Sequence, residues 1–210
     1  MSSEFQFDLV VLTACKDQRV ALETLLSKRA ADLGIHPVRA TYLVDPNKDP
    51  GCRGAPDRIL RQYLRSAHRA LVVFDREGSG RETRSPDQLE EDVSGILAAN
   101  GWEDRGAAVV LDPELEQWVW SDSSHVDRIL GWRGRTPPLR DWLVSAGWVD
   151  GAATKPARPK DAFRAAIRQT RQQLSSSLFG DLAESVNFSR CQDRSFLRLR
   201  AILQDWFPAA

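Results

Sequence analysis

Two acidic residues, Asp75 and Glu77, follow the apolar run of residues 70–74. Because alternate side chains of an extended chain point the same way, both carboxylates are expected on one side of the chain where the strand ends. Paired hard oxygen ligands of this kind suit Mg²⁺, which binds one or two protein carboxylates together with water or substrate phosphate. In the alternative interpretation, Asp75 caps a turn and Glu77 is solvated.

A second acidic group, made of Asp112, Glu114 and Glu116, follows the apolar run of residues 107–111. If both runs lie in one parallel sheet, their ends meet at one edge, where ligands collect in such folds. We therefore predict that Asp112 joins the metal site and that Glu114 and Glu116 assist catalysis. The alternative is a helix start, since Asp before Pro with glutamates in the first turn complements the helix dipole.

The first predicted strand, residues 7–13, also ends in polar residues. Asp17 can cap the helix that follows. Cys15 lies between a strand and a helix start, a position where the pKa of a thiol can be lowered. Because no histidine can be placed beside Cys15 from the sequence, an inert thiol is the favoured interpretation.

The elements that must position these groups alternate along the chain. Short apolar runs predict buried strands, and apolar residues at helical spacing predict helices between them. The predicted strands cover residues 7–13, 38–44, 70–74 and 107–111, the predicted helices cover residues 17–33, 56–67 and 85–100, and residues 45–51 are predicted to form a polar loop. This alternation predicts an α/β fold with a mostly parallel four-stranded sheet flanked by helices.

The second half of the chain has a different character. Residues 132–160 are rich in Gly, Pro and Arg and contain three tryptophans, which indicates an ordered but irregular connection. Helices are predicted near residues 160–176 and 194–206, and no further strand is predicted. We therefore predict an α/β domain over residues 1–121 and a helical C-terminal extension over residues 122–210.

The composition is that of an ordinary globular protein, with 42% hydrophobic and 28% charged residues. Basic and acidic residues both number 29, so no global charge draws the chain to nucleic acid or to a membrane. The sequence contains no basic leader and no apolar stretch long enough to span a membrane, so a cytoplasmic location without a membrane partner is expected. The three cysteines lack the spacing of a disulfide framework or a zinc site.

The charges are nevertheless unevenly distributed. Residues 75–122 contain thirteen acidic and four basic residues, whereas residues 133–171 contain nine basic and three acidic residues. A basic segment with interleaved tryptophans is typical of a surface that holds a nucleic-acid backbone. The favoured alternative is that the two segments pair with each other or that the basic one pairs with an acidic partner.

The strand order and the acid pair at residues 75–77 resemble the Toprim fold of topoisomerases, primases and overcoming-lysogenization-type nucleases. Residues 109–118, Val-Val-Leu-Asp-Pro-Glu-Leu-Glu-Gln-Trp, resemble a strand and P-E-x-E-x-W segment of Toprim-like proteins encoded in bacterial defence loci. Residues 178–196 and 203–208 resemble the ending of the same group. The chain is most similar to the Toprim-like subunit of methylation-associated defence systems.

This resemblance implies Mg²⁺ at Asp75 and Glu77 and chemistry on phosphodiesters. In Toprim enzymes a glutamate at the end of the first strand acts as general acid or base. Residues 13–17 contain no glutamate here, and Asp17 is the acid that would have to take its place.

Two functional hypotheses follow, and the sequence leaves open whether the chain is an enzyme. In one, it is an Mg²⁺-dependent nuclease that cuts DNA or RNA. The basic residues predicted to hold phosphate are Lys16, Arg76, Arg133 and Arg135. In the other, which is favoured because the glutamate is missing, the chain is a non-catalytic subunit of a bacterial anti-phage defence complex. Its partners would then be the other subunits encoded in the same operon.

Overall fold

The structure, a computed structural model, describes residues 5–121, 123–150, 152–188 and 191–209. Its sheet consists of β1 (Phe7–Thr13), β2 (Ala40–Val44), β3 (Ala67–Asp75) and β4 (Gly106–Leu111). All strand pairs are parallel, and the strand order is β2-β1-β3-β4. The predicted α/β fold with a parallel four-stranded sheet flanked by helices is confirmed.

The inner strands β1 and β3 have the continuous apolar sequence expected of strands covered on both faces. Residues 71–74 of β3 are completely inaccessible to solvent. In the register of the sheet, Thr13 lies opposite Val73, and Asp75 lies opposite Leu111. The carboxyl ends of β1, β3 and β4 therefore meet at one rim.

Helices cover both faces of the sheet. The α-helices of the described residues are α1 (Lys16–Lys28), α2 (Ala30–Leu33), α3 (Lys48–Gly54), α4 (Asp57–Leu60), α5 (Pro86–Leu97), α6 (Ser124–Ile129), α7 (Leu139–Ser145), α8 (Pro159–Thr170), α9 (Ser177–Ser185) and α10 (Arg194–Trp206). Helices α3, α4 and α5 contribute to the apolar core on one face of the sheet. Helices α1 and α6 to α10 contribute to the core on the other face.

The C-terminal half of the chain shares its core with the sheet. Phe163 of α8 and Leu199 of α10 belong to the same buried cluster as Leu9 of β1 and Leu71 of β3. The extension therefore completes one face of the α/β unit. The predicted boundary at residue 122, together with Asp122 itself, lies outside the described residues.

The predicted first helix is divided in two at Arg29. Cys15, rather than Asp17, is the N-cap residue of α1, and Asp17 lies in the first turn. The Arg29 guanidinium donates hydrogen bonds to three carbonyl oxygens at the end of α9. Because α9 is a tertiary neighbour, this break could not be read from local helix spacing. Gly34 ends α2 in a left-handed conformation, with φ of 75°, as its position predicts.

The predicted polar loop over residues 45–51 is wrong in its second half, because α3 begins at Lys48. Asp45 accepts a hydrogen bond from the Asn47 amide at 2.7 Å and so organises the turn before the helix. Pro50 lies near the helix start, where the lack of an N–H is harmless. A Cβ at Gly51 would overlap the Asp45 carboxylate, so a glycine fits this close approach.

The helix predicted over residues 56–67 is also wrong in its second half. Helix α4 continues only as a 3-10 turn, Arg61–Tyr63. Ala67 already pairs with Phe7 of β1, so β3 starts three residues earlier than the apolar run suggests. Strand pairing here overrides helical spacing.

The predicted helix after Ser85 is confirmed as α5. The Ser85 hydroxyl accepts a hydrogen bond from the Gln88 amide, and the Gln88 side chain accepts one from the Ser85 amide, which forms a capping box. Gly101 closes the turn that follows, with φ of 88°.

Helix α5 also covers the edge of the sheet through Glu90, which is buried. A Glu90 carboxylate oxygen accepts the outward-facing amide of Val110 on β4 at 2.9 Å. Arg194 of α10 donates to both Glu90 carboxylate oxygens, at 2.9 and 2.7 Å. Glu90 thus covers the edge of β4, and its ion pair with Arg194 joins α5 to α10.

In the C-terminal half, the helix predicted over residues 194–206 is confirmed as α10, and the helix near residues 160–176 ends earlier, at Thr170. Arg171 terminates α8 with φ of 57°. The irregular region contains one helix that was not predicted, α7. None of the described helices is long and apolar enough to cross a membrane.

Two valine substitutions test the contrast between the inner strand β3 and the edge strand β2. Val72 is fully buried, whereas Val44 is 41% exposed. We expect Val72→Ala to lower the free energy of unfolding by about 2 kcal/mol through lost burial and a residual cavity. Val44→Ala should change it by less than about 0.5 kcal/mol. Urea denaturation measures both, and equal losses would contradict this strand order.

Candidate functional site

The Asp75 carboxylate lies at the end of β3 and is 6% exposed. One of its oxygens accepts two hydrogen bonds, from Gln18 Nε2 at 2.8 Å and from the Leu115 amide at 3.0 Å. Asp75 therefore ties the start of α1 and the turn after β4 to the end of the central strand. In the alternative interpretation Asp75 caps a turn, and its hydrogen bond from the Leu115 amide at the start of the turn after β4 is of that kind.

Gln18, rather than Asp17, is the residue that α1 places against Asp75. The Gln18 side-chain oxygen accepts the Ala14 amide at 2.9 Å, which fixes the orientation of its NH₂ group toward Asp75. A neutral amide has no proton to exchange near neutral pH and cannot act as general acid or base. Sequence reasoning missed Gln18 because it considered acids and thiols at this strand end.

Asp49 of α3 is a second acid that sequence reasoning missed. Its carboxylate accepts the backbone amide of Asp75 at 2.8 Å. Burial raises the pKa of Asp49 above its ordinary value. Asp49 lies in the segment predicted to be a loop, and only its pairing with the end of β3 reveals its position.

Glu114 and Glu116 are buried, and both approach Lys160 of α8. Glu114 accepts the Lys160 backbone amide at 2.8 Å and its ammonium at 3.0 Å. Glu116 lies 3.9 Å from the same ammonium. We call Asp49, Asp75, Glu114, Glu116 and Lys160 the acid–lysine cluster.

The charges of this cluster perturb one another. Burial, followed by the charge of Asp49, raises the pKa of Asp75 well above its ordinary value. Burial raises the pKa of Glu116 to about 7, although the Lys160 ammonium opposes the change. Burial alone would lower the pKa of Lys160, but the charges of Glu116, Asp75 and Glu114 outweigh that effect and raise it. Lys160 is therefore a firmly protonated cation close to Asp75 and Glu116, whose ionisation burial opposes.

The structure does not bring the three predicted metal ligands into one set. Glu77 is exposed. Its backbone amide donates to Pro113 O at 3.0 Å. Asp112 forms a 2.8 Å ion pair with Arg76, which also bonds a loop carbonyl. Asp75 is engaged by hydrogen-bond donors.

These residues do not fit Mg²⁺ as the sequence predicted. Across the described part of the chain, no group of three or more His, Cys, Asp or Glu side chains is arranged to hold a metal ion. The positive charge near Asp75 and Glu116 is instead the Lys160 ammonium. Catalytic and metal-binding roles for the predicted residues stay predictions.

The predicted phosphate-binding residues lie in two different parts of the fold. Lys16 is exposed at the start of α1, and Arg76 is held by Asp112 at the rim. Arg133 and Arg135 lie in the turn before α7, and Arg135 bonds the carbonyl oxygen of Gln169 at the end of α8. Their role in holding phosphate stays a prediction.

Cys15 is half-buried, and burial raises the pKa of its thiol to about 11. The nearby charges of Asp75 and Asp17 add to this effect. A thiol in this environment stays protonated at neutral pH and is a poor nucleophile. The inert interpretation of Cys15 agrees with this geometry.

A cavity of about 780 Å³ lies among the turn after β4, α9 and the start of α10. Its walls include Trp118, Phe179 and Phe196, with Lys155 and Asp193 forming an ion pair of 3.6 Å. A cavity of this size can accept a small ligand. The acid–lysine cluster, not this cavity, contains the strongly perturbed acids.

Comparison with protein-family models, with curated proteins and with solved structures finds no match to this chain.

Substitution of Lys160 tests whether its charge stabilises the cluster. Lys160→Met keeps most of the side-chain volume but leaves Glu114 and Glu116 without a cation. Since the Lys160 side chain is 35% exposed, we expect a loss of about 2 kcal/mol in the free energy of unfolding at neutral pH. The control is Lys28→Met, which removes a solvent-exposed pair with Glu184 and should cost less than about 1 kcal/mol. Equal effects would show that the cluster needs no cation.

The raised pKa of Glu116 predicts a pH-dependent stability. Between its ordinary pKa of 4.5 and the folded value of about 7, the folded chain holds a proton that the unfolded chain has lost. Stability contributed by this group therefore falls as the pH rises through that window. Glu116→Gln stays neutral, so it should exceed the wild type in unfolding free energy by about 2 kcal/mol above the window and match it near pH 4.5.

Urea denaturation across this pH range measures the difference between the two proteins. Glu91→Gln, which changes an exposed residue of α5, is the matched control and should follow the wild type throughout. A Glu116→Gln variant that is less stable than the wild type above the window would show that attraction to Lys160 outweighs burial.

Proposed function

We propose that this chain is the Toprim-like subunit of a bacterial anti-phage defence system of the methylation-associated kind. In this proposal it acts inside a multi-protein complex and does not cut nucleic acid by itself. The resemblance of residues 75–77 and 109–118 to Toprim-like defence proteins supports the family assignment. The parallel sheet with acids at its carboxyl rim agrees with it.

The observation that carries the non-catalytic part of the proposal is the occupation of the acidic rim by Lys160. Its ammonium lies 3.0 Å from Glu114 and 3.9 Å from Glu116. An acid set that serves a divalent cation needs free carboxylate oxygens facing an open position. Here, a fixed side chain from α8 already compensates these acids.

A second observation supports the same conclusion. The residue beside Asp75 that comes from the start of α1 is Gln18, an amide. Hydrolysis of a phosphodiester by general acid–base catalysis needs a group that gains and loses a proton in reach of the reacting atoms. With Gln18 in this position, the side chain of α1 that contacts Asp75 cannot serve as that group.

In this proposal the acids at the rim have a structural role and hold neighbouring elements together. Asp75 bonds α1 and the turn after β4, while Glu114 bonds α8. One charged cluster thus fixes the relative position of the sheet and the C-terminal helices. A rigid single unit of this kind suits a scaffold that presents its outer surface to other subunits.

The proposal predicts the behaviour of the chain among the products of its own operon. When an affinity-tagged copy is co-expressed with all of them, we expect it to elute in size-exclusion chromatography with at least one other product. Purified alone, it should leave DNA and RNA uncut in the presence of Mg²⁺ or Mn²⁺. The matched control is Asp75→Asn, which replaces the Asp75 carboxyl group by an amide of nearly the same size.

Two results would overturn the proposal. A chain that stays monomeric in the presence of every operon product is not a complex subunit. Cleavage by the wild type that Asp75→Asn lacks would establish the alternative, an Mg²⁺-dependent nuclease.

A further inference from the structure

A basic surface lies on α8, away from the sheet rim. Arg164 and Arg168 are exposed and one helical turn apart, so they share one face of the helix. Arg171 follows at the left-handed residue that ends α8. These three arginines are spaced along the second half of the helix.

The turn before α7 extends this surface. Arg135 donates to the carbonyl oxygen of Gln169 at 3.2 Å, which holds the turn against the end of α8. A Cβ added to Gly131 would lie 2.7 Å from Gln172 Nε2, so the turn also packs closely on the residue that follows Arg171. Arg133 is exposed in the same turn. We call Arg133, Arg135, Arg164, Arg168 and Arg171 the arginine surface.

The positive charges of this surface are largely uncompensated. Of the basic residues between positions 133 and 171, Lys155, Arg158 and Lys160 form ion pairs with carboxylates among the described residues. Asp161, the acid of α8, is hydrogen-bonded by Arg158, and this bond is the main reason that its pKa is lowered, with the charges of Arg164 and Arg168 adding to the effect. The predicted pairing of the basic segment with the acidic one is thus found at Lys160 and does not extend to the arginine surface.

We propose that the arginine surface binds the phosphate backbone of a nucleic-acid duplex without reading its sequence. The planar guanidinium group matches the geometry of phosphate oxygens and stays charged at any physiological pH. The surface shares no residue with the acid–lysine cluster, so this inference is independent of the function proposed above.

At the arginine surface, the exposed side chains favour a duplex over a single strand or a protein. A single strand is normally held by bases stacked on aromatic side chains, and protein interfaces depend on aromatic anchors. All seven tryptophans are buried or half-buried, and Trp132 lies beneath Arg135 with 3% exposure. The large hydrophobic side chains exposed among the described residues are Val44, Val144 and Leu174, none of which is aromatic.

The test measures binding of a fluorescently labelled random-sequence DNA duplex of about 20 base pairs by anisotropy, at several KCl concentrations and with EDTA present. Five phosphate contacts predict a slope of about −4.5 for log K against log salt. The triple variant Arg133→Gln/Arg164→Gln/Arg168→Gln should weaken binding at least about tenfold. It should also make the slope less negative by about 3.

The control is Arg58→Gln/Arg61→Gln/Arg65→Gln, which removes the same charge from exposed residues around α4, on the other face of the sheet. It should keep the wild-type slope and affinity within about twofold. Circular dichroism melting checks that both triple variants remain folded, as expected for exposed residues.

Four outcomes would overturn the inference. In the first, the wild type does not bind the duplex in EDTA. In the second, both triple variants lose affinity equally, which indicates a net-charge effect. Polyglutamate at equal charge displaces the duplex, which identifies an acidic protein as the partner. A single strand of the same length binds more tightly than the duplex. Since EDTA removes divalent cations and the assay needs no operon partner, failure here leaves the proposed function unaffected.

Discussion

The structure depends on the neutralisation of carboxylates that are buried at the edges of a parallel sheet. Asp75, Glu114 and Glu116 lie where the strands end, and ionised groups withdrawn from water are unstable without compensating partners. Lys160 supplies the charge and Gln18 the hydrogen bond. The packing of α8 against the turn after β4 is therefore an electrostatic requirement as well as a result of apolar burial.

Much of the fold could be predicted because its signals are local. The apolar run that ends at Phe74 belongs to a strand buried on both faces. Ser85 and Gln88 form the capping box that predicts the start of α5. The predictions fail where a distant contact decides the conformation. The first helix breaks at Arg29, whose side chain bonds the end of α9. Ala67 belongs to β3 because it pairs with Phe7 of β1.

The position of the site could be predicted, but not its composition. Parallel strands bring their ends to one rim, so Asp75 and Glu114 were correctly placed at the same edge. Glu77, two residues beyond Asp75, is exposed, because the chain leaves the extended conformation at the end of β3. Gln18 and Lys160 carry no recognisable signal, since an amide in a helix and a lysine after a proline are common and only the tertiary fold brings them to Asp75 and Glu114.

The uneven distribution of charge along the chain has two physical explanations here. One part is internal compensation, through Lys160 at the rim and through Arg194, which neutralises Glu90 beside β4. The other part is an external surface on α8, where helix geometry turns Arg164 and Arg168 to solvent. The tryptophans interleaved in the basic segment pack on the core, where the ring centroids of Trp132 and Trp142 are 4.6 Å apart.

The ion pairs at the edges of the sheet join residues that lie far apart along the chain, and the residues are therefore made at different times during translation. Glu114 is paired with a cation 46 residues further along the chain, and Glu90 with one that is 104 residues further along. All four strands have been translated by Leu111, before either cation has been made. The acids at the sheet edges therefore meet these cations only after α8 and then α10 have been made, when all four strands already exist.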